Sequence, residues 1–323
     1  MKTVLRAMAV AAALAAGGLA HADTYPSKPV RIMVGYTPGG GVDTTARLVA
    51  AALGELWGSQ VIVENRPGAA GNIATEYTAK AAPDGYTLVL CNIGSHSITQ
   101  ARAKRLNYDH IRDFAFPSMI GSTPNVFMVH PSMPTKTLRQ YIAYAKAHPG
   151  KVNFGSSGVG ASPHMSIELL KTMTGINIVH VPYKGASAAL ADVMGGQMES
   201  SVGNLAGGPL AAIKSGRVRA LGVTSAKRNA QLPEVPTFAE AGVPGFEVSG
   251  WYGICTQSKV PPAIVAQLSA DLHKVLNSPT LKQRLEDQGI DVTPSSPEEF
   301  LAHVKAETAK WTKVVKDAHL EAD

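Results

Sequence analysis

Three observations predict an α/β protein made of two units that face one another across a cleft. Short apolar, β-branched runs alternate with stripes at helical spacing along almost all of residues 23–323. A glycine-rich turn joins strand to helix in each half, GYTPGGGVD at 35–43 and GSSGVGA at 155–161. Between 233 and 245 a proline- and glycine-rich stretch returns the chain from the second unit to the first.

The first 22 residues stand apart from this pattern. Lys2 and Arg6 form a positive start, residues 7–19 an apolar core, and Ala20-His21-Ala22 a small-residue cleavage site, so an exported chain beginning at Asp23 is expected. The apolar run is too short and too rich in alanine and glycine for a good membrane span. Formal net charge is +6, two of it in that leader, and no basic run interleaved with aromatics marks a nucleic-acid surface. Cys91 and Cys255 both sit in apolar, strand-like context. An oxidising compartment permits a bridge, but the context favours two buried thiols.

Taken in order, 30–34 is a strand, and 35–42 cannot continue it because four glycines and a proline intervene. Asp43 is placed to cap the next helix by accepting from the Thr45 or Ala46 N–H. Ala46, Val49, Ala50, Leu53, Leu56 and Trp57 then make one buried stripe. A second strand covers 60–64, followed by the glycine-rich turn 65–71, with Asn72 capping a helix through Ile73, Tyr77 and Ala81. Residues 86–91 form a third strand, ending in the polar turn 92–97. The β-α-β-α-β order points to a mostly parallel sheet with helices on both faces.

Near 116–129 the chain crosses into a second unit. There 138–147 is helical up to Pro149-Gly150, 152–154 is a strand, and Ser162-Pro163 form an N-cap and N1 pair for a helix to Gly175. Strands follow at 178–181, 198–202 and 218–223, with a helix capped by Ser187 and ended by Gly195-Gly196. After the return comes a strand at 251–256 and two long amphipathic helices, 262–277 and 297–316. The lobes are expected at 23–122 with 245–323, and at 123–244, hinged near Ser122 and Pro244.

A glycine turn at the carboxyl end of a parallel strand aims bare N–H groups at an anion. The 35–43 turn is not a P-loop, since no Lys or Arg lies between Arg31 and Arg47. It fails the dinucleotide fingerprint too, because Thr44 stands where a third glycine belongs. Its plain alternative is a tight structural turn. If both units aim such turns into a shared cleft, several charge-assisted hydrogen bonds of about 1.5–3 kcal/mol each would hold a carboxylate at roughly micromolar affinity.

Six ordered motifs carry a resemblance: the 30–43 stretch with P-G-G-x-x-D, ENRPGAAGN at 64–72, APDGYT at 82–87, GSSGVGASPH at 155–164, VPYKG at 181–185 and ALGVTSAKR at 220–228. Together they resemble the Bug-type extracytoplasmic solute receptors of tripartite tricarboxylate transporters over essentially all of 23–323. The resemblance implies a type II periplasmic-binding-protein fold, with two α/β lobes around a ligand cleft. It also implies a small organic acid as ligand and a membrane permease with large and small subunits as partner. In such receptors the carboxylate is held largely by backbone groups, which places the site at 36–43 and 155–160. The candidates are Tyr36, Pro38, Gly39, Gly40 and Asp43, with Ser95 from the turn after the third strand. From the second lobe come Ser156, Ser157, Gly158, Gly160 and His164, then Tyr183 and Lys184, and Asn204 at a strand end. A periplasmic monomer is expected, with no cofactor.

Several features depart from the family. Val34-Gly35-Tyr36-Thr37-Pro38 replaces a frequent Pro-Phe-Pro-Pro, Thr99 replaces Asn, and Gly203-Asn204 replaces Asp-Asn. Losing that acid disfavours a ligand amine and suits a second acid or an apolar ring.

Other readings are open on these residues. Ser157 and His164 suggest a hydrolase, but G-x-S-x-G fails at Val159, and a His in the first turn of a helix more often serves packing or hydrogen bonding. Metal-ligand spacing is lacking. Tyr36 either stacks on a ligand or packs the hinge. Lys184 is either a solvated charge or a point charge for a carboxylate. Capping accounts for Asp43 without any ligand, and Met165, Met173 and Met194 fall on helical stripes. A sensory role, with a membrane kinase as partner, is the remaining alternative to transport.

Overall fold

The computed structural model describes residues 25–103, 105–318 and 320. The leader and the junction after Ala22 lie outside them.

β1 (Val30–Val34), β2 (Val61–Asn65) and β3 (Thr87–Asn92) pair in parallel, with α1 (Gly41–Trp57) and α2 (Asn72–Ala79) as their crossovers. α1 turns Ala46, Val49, Ala50 and Leu53 into the core under β1, as the stripe predicts, while Leu56 and Trp57 stop half-buried at its end. β4 (Phe114–Val129) runs sixteen residues and joins the two halves. Up to Pro124 it pairs with β9 (Ser249–Gln257); from Asn125 onward it pairs with β7 (Ser200–Asn204) and β8 (Arg219–Val223). β5 (Asn153–Ser156) lies between β7 and β6 (Val179–Pro182), parallel to both. The strand order is β2-β1-β3-β9-β4-β7-β5-β6, with β8 and the short β10 (Asp291–Val292) also on β4. Parallel pairing is therefore confined to the outer parts of each half. The two strands that carry the chain between halves, β4 and β9, pair antiparallel.

The helices α4 (Leu138–Ala147), α5 (Ser162–Thr174) and α6 (Ala186–Met194) clothe the second half, with α7 (Gly208–Lys214). α8 (Pro262–Leu276), α9 (Pro279–Glu286) and α10 (Pro297–Asp317) return to the first half. Residues 94–98 form a π-turn running into α3 (Thr99–Arg102), where the sequence suggests only a polar turn. The physical reason is burial: His96 and Ser97 are fully enclosed, and the His96 and Ser97 atoms meet Thr308 of α10.

Four cap expectations move by a residue or more. Gly40, not Asp43, is the N-cap of α1; Gly71, not Asn72, caps α2; and Ala161 caps α5, with Ser162 already helical. Ser187 likewise lies inside α6, whose N-cap is Gly185.

The cysteines also correct the sequence reading. Cys91 and Cys255 are buried but not thiols; they form a disulfide with Cα atoms 5.9 Å apart. β3 and β9 are antiparallel neighbours in which Val89 faces Cys255 and Cys91 faces Gly253, so the two sulfurs meet on the diagonal.

Candidate functional site

Part of the 35–43 turn is bonded within the protein, while no protein partner is found among the described residues for the Gly40, Gly41 and Val42 N–H groups at the start of α1. Asp43, nearly fully buried at the third position of α1, accepts from the Gly39 N–H at 3.0 Å, the Arg47 guanidinium at 2.9 Å and the Asn65 amide at 2.8 Å. Burial works to raise its pKa, but these bonds together hold the carboxyl below its ordinary value. Gly39 alone in this loop needs glycine for its backbone, with φ of 83°. Gly40 is extended, and a Cβ there would meet nothing nearer than the Thr37 carbonyl at 3.9 Å.

The turn after β2 is built differently. Gly68, Ala69, Ala70 and Gly71 take φ of 140°, 47°, 55° and 94° in succession. Two alanines in the left-handed region cost roughly 1–2 kcal/mol each, so surrounding contacts must impose the shape. Tyr36 supplies one: its buried hydroxyl donates to the Ala70 carbonyl at 2.7 Å, and its ring lies beneath Gly71. Burial pushes that hydroxyl's pKa well up, so it stays a donor. Tyr36 props this turn.

Opposite stands the serine–glycine turn of the second half. Ser156 and Ser157 are buried at the end of β5, and the 157–159 backbone faces the strained turn across a pocket of about 240 Å³. Gly68, Ala69 and Ala70 line one side; Ser157, Gly158 and Val159, then Pro182, Tyr183 and Lys184, line the other. Lys184 is exposed and is the single charged side chain of this lining, with no ion pair among the described residues. The Tyr183 hydroxyl is taken up by the Asp192 carboxylate. Larger grooves occur elsewhere, including one of about 730 Å³ over Tyr77 and Tyr86, but its lining comes from the first half alone.

Around this pocket the two halves touch directly. The Thr37 N–H donates to the Lys184 carbonyl at 3.3 Å, its hydroxyl pairs with Ser187 at 2.9 Å, and the Gly208 N–H donates to the Gly39 carbonyl at 3.3 Å. Gly185 is pressed against Thr37 so closely that a Cβ would lie 1.9 Å from its Oγ1. Gly39 and Gly40 thus lie at the contact between halves, and residues 38–40 are not among those lining this pocket.

Of the sequence candidates, Ser157, Gly158, Tyr183 and Lys184 come together. Ser156, Gly160 and His164 lie one layer behind. Ser95 is fully buried, with its hydroxyl 2.9 Å from His96 Nδ1. Asn204 donates to Asn125 at 2.9 Å, and Asn125 in turn donates to Ser162 and Ser166. Gly68, Ala69 and Ala70 are missed by reasoning centred on the first turn. Their signal lay in the glycine pair flanking two alanines in ENRPGAAGN. Nor does a hydrolase pair form, because His164 Nδ1 accepts from the Gly160 N–H at 3.1 Å and its Nε2 faces Glu168 at 3.5 Å.

Comparison with known proteins converges on one group. Residues 45–320 match the family described as tripartite tricarboxylate transporter family receptor. Protein BugT of Bordetella pertussis is 33% identical over 308 residues, covering 94% of each chain. The structure of R. palustris Rpa4515 with adipate superposes at a TM-score of 0.87, with 36% identity over 91% of this chain and 98% of that one. MatC from Rhodopseudomonas palustris with bound malate gives 0.86, at 30% identity over 90% and 100%. The family is one of receptors and not of enzymes, which closes the hydrolase reading.

Proposed function

The chain belongs to the tripartite tricarboxylate transporter receptor family, as a Bug-type periplasmic binding protein, and on that premise we propose that it captures a small carboxylate in the pocket between residues 68–70 and 157–159 and delivers it to a membrane permease. One observation carries the carboxylate reading: the only charged side chain in the lining is the cation Lys184, set beside the backbone of a serine–glycine turn. Relatives bound to adipate and to malate support the same ligand class. With no acid in the lining, a ligand amine finds no partner, so the ligand is a plain organic acid whose body rests on Ala69, Ala70, Val159 and Pro182. We take residues 23–122 with 245–323 as one lobe and 123–244 as the other, closing on the ligand by a hinge.

Native mass spectrometry of protein purified without added ligand, followed by calorimetry with mono-, di- and tricarboxylates, tests this reading. At least one acid should bind, and Lys184→Met should weaken it about tenfold, more at low salt than at high. Unaltered affinity in Lys184→Met, or tighter binding of an amine-bearing ligand than of its deamino analogue, would overturn it. The same spectra should show a chain beginning at Asp23.

A further inference from the structure

Behind the serine–glycine turn two imidazoles lie against each other. His164 sits in the first turn of α5 and His180 on β6, with ring centroids 4.0 Å apart. Phe154 stacks on His180 at 4.9 Å, and its register partner across β5 and β6 is His180 itself. The nitrogens are directed at the turn. His164 Nδ1 accepts from the Gly160 N–H at 3.1 Å, and His180 Nε2 lies 2.7 Å from Ser156 Oγ. Ser156 Oγ in turn accepts from the Gly158 N–H at 3.2 Å. The polar groups at 156, 158 and 160 therefore end, directly or through one hydroxyl, on two rings that do not line the pocket.

We propose that His164 and His180 are positioning residues that hold the 156–160 turn in the shape lining the pocket, and so set ligand affinity without touching the ligand. Packing alone does not explain the arrangement, since two apolar rings would fill the space and leave the Gly160 N–H and the Ser156 hydroxyl without these partners. Accepting from Gly160 requires an unprotonated Nδ1, which leaves the His164 proton on Nε2, facing Glu168. Both rings are held neutral. Burial first, then His180, Arg102 and Lys171, push His164 down to about 2. Burial, Lys171 and Arg102 push His180 down to about 4.

Only the affinity part of the test rests on the carboxylate reading. His164→Asn keeps an acceptor near the position of Nδ1, and His180→Gln keeps one near Nε2; His164→Leu and His180→Leu keep neither. Amide hydrogen exchange at Gly158 and Gly160, thermal melts, and calorimetry with adipate are measured on all four. The Leu variants should expose these amides and bind adipate about tenfold more weakly. The Asn and Gln variants should stay within about threefold of the parent at any given melting temperature. Equal exchange in the Leu and amide variants would overturn the proposal and reduce the histidines to filling. If the parent ignores adipate, the acid that binds it in the carboxylate panel takes its place; a parent that binds none counts against the carboxylate reading, and the exchange data then decide the positioning claim alone.

Discussion

Two glycine-rich turns of the first lobe, 35–43 and 65–71, look alike in sequence and do opposite things. In the first, several groups bond across to α1 or the second lobe: Gly39 N–H to Asp43, Thr37 N–H to Lys184, and the Gly39 carbonyl to Gly208. In the second, two alanines are bent into left-handed conformations with Tyr36 beneath them, and the turn faces the pocket. Glycine density therefore does not mark a binding turn. What sets the second turn apart is the strain held in place beside the pocket, since both turns bond some of their N–H groups within the protein.

The sharpest way to break this contrast is Gly185→Val. If the first turn exists to meet the second lobe, a side chain at 185 collides with Thr37 and stops closure. Affinity should then fall about a hundredfold, and small-angle scattering should no longer show contraction with ligand. Parent-like affinity would mean that this contact is incidental. Asp43→Ala should cost about 2–3 kcal/mol in a chemical melt, since it strips a buried carboxylate from three donors, with a smaller effect on binding. A change confined to affinity would return Asp43 to the ligand.

The second lobe's turn adds a pH signature. Unfolded His164 takes up a proton below about pH 6.5, whereas the folded residue resists until about 2. The unfolded state thus binds more protons across that window, and stability drops as pH falls, by about 1.4 kcal/mol per unit for this group. His164→Asn should flatten the slope by that amount. Ala70→Gly should stabilise by up to about 1 kcal/mol, because glycine accepts φ of 55° without penalty. Gly40→Ala should change neither stability nor affinity by more than about 0.5 kcal/mol, given the open space around it. A large binding loss there would restore the first turn as the cradle.

Much of the fold was legible because its signals are local. α4 begins at Leu138 after the Thr137 cap and ends before Pro149-Gly150, and α8 and α10 start at prolines. What the sequence hid depends on distant neighbours. Residues 94–102 look polar and turn-like yet are helical, because α10 covers them. His180 attracts no notice until the β5–β6 register sets it against Phe154 and Ser156. Of this pocket's lining, the 155–160 turn and the VPYKG segment are legible in the sequence, whereas residues 68–70 on its other side show themselves only once the fold brings them there. The short helix Pro279–Glu286 and strand Asp291–Val292 were not seen, the latter because two residues carry no period to read.

The Cys91–Cys255 bond has a consequence for how the molecule comes apart. Its partners are 164 residues apart, and that span includes the whole of β4 through β8. Those elements therefore form a covalent ring closed at the middle of the sheet. Closing so long a loop removes roughly 5 kcal/mol of chain entropy from the unfolded state in the simplest account. It also means that a protease cutting any exposed loop between 92 and 254 releases nothing: the clipped chain runs at full mass without reductant and splits into two fragments with it. A receptor that works outside the reach of cellular repair can thus be nicked in its second lobe and still keep both lobes joined.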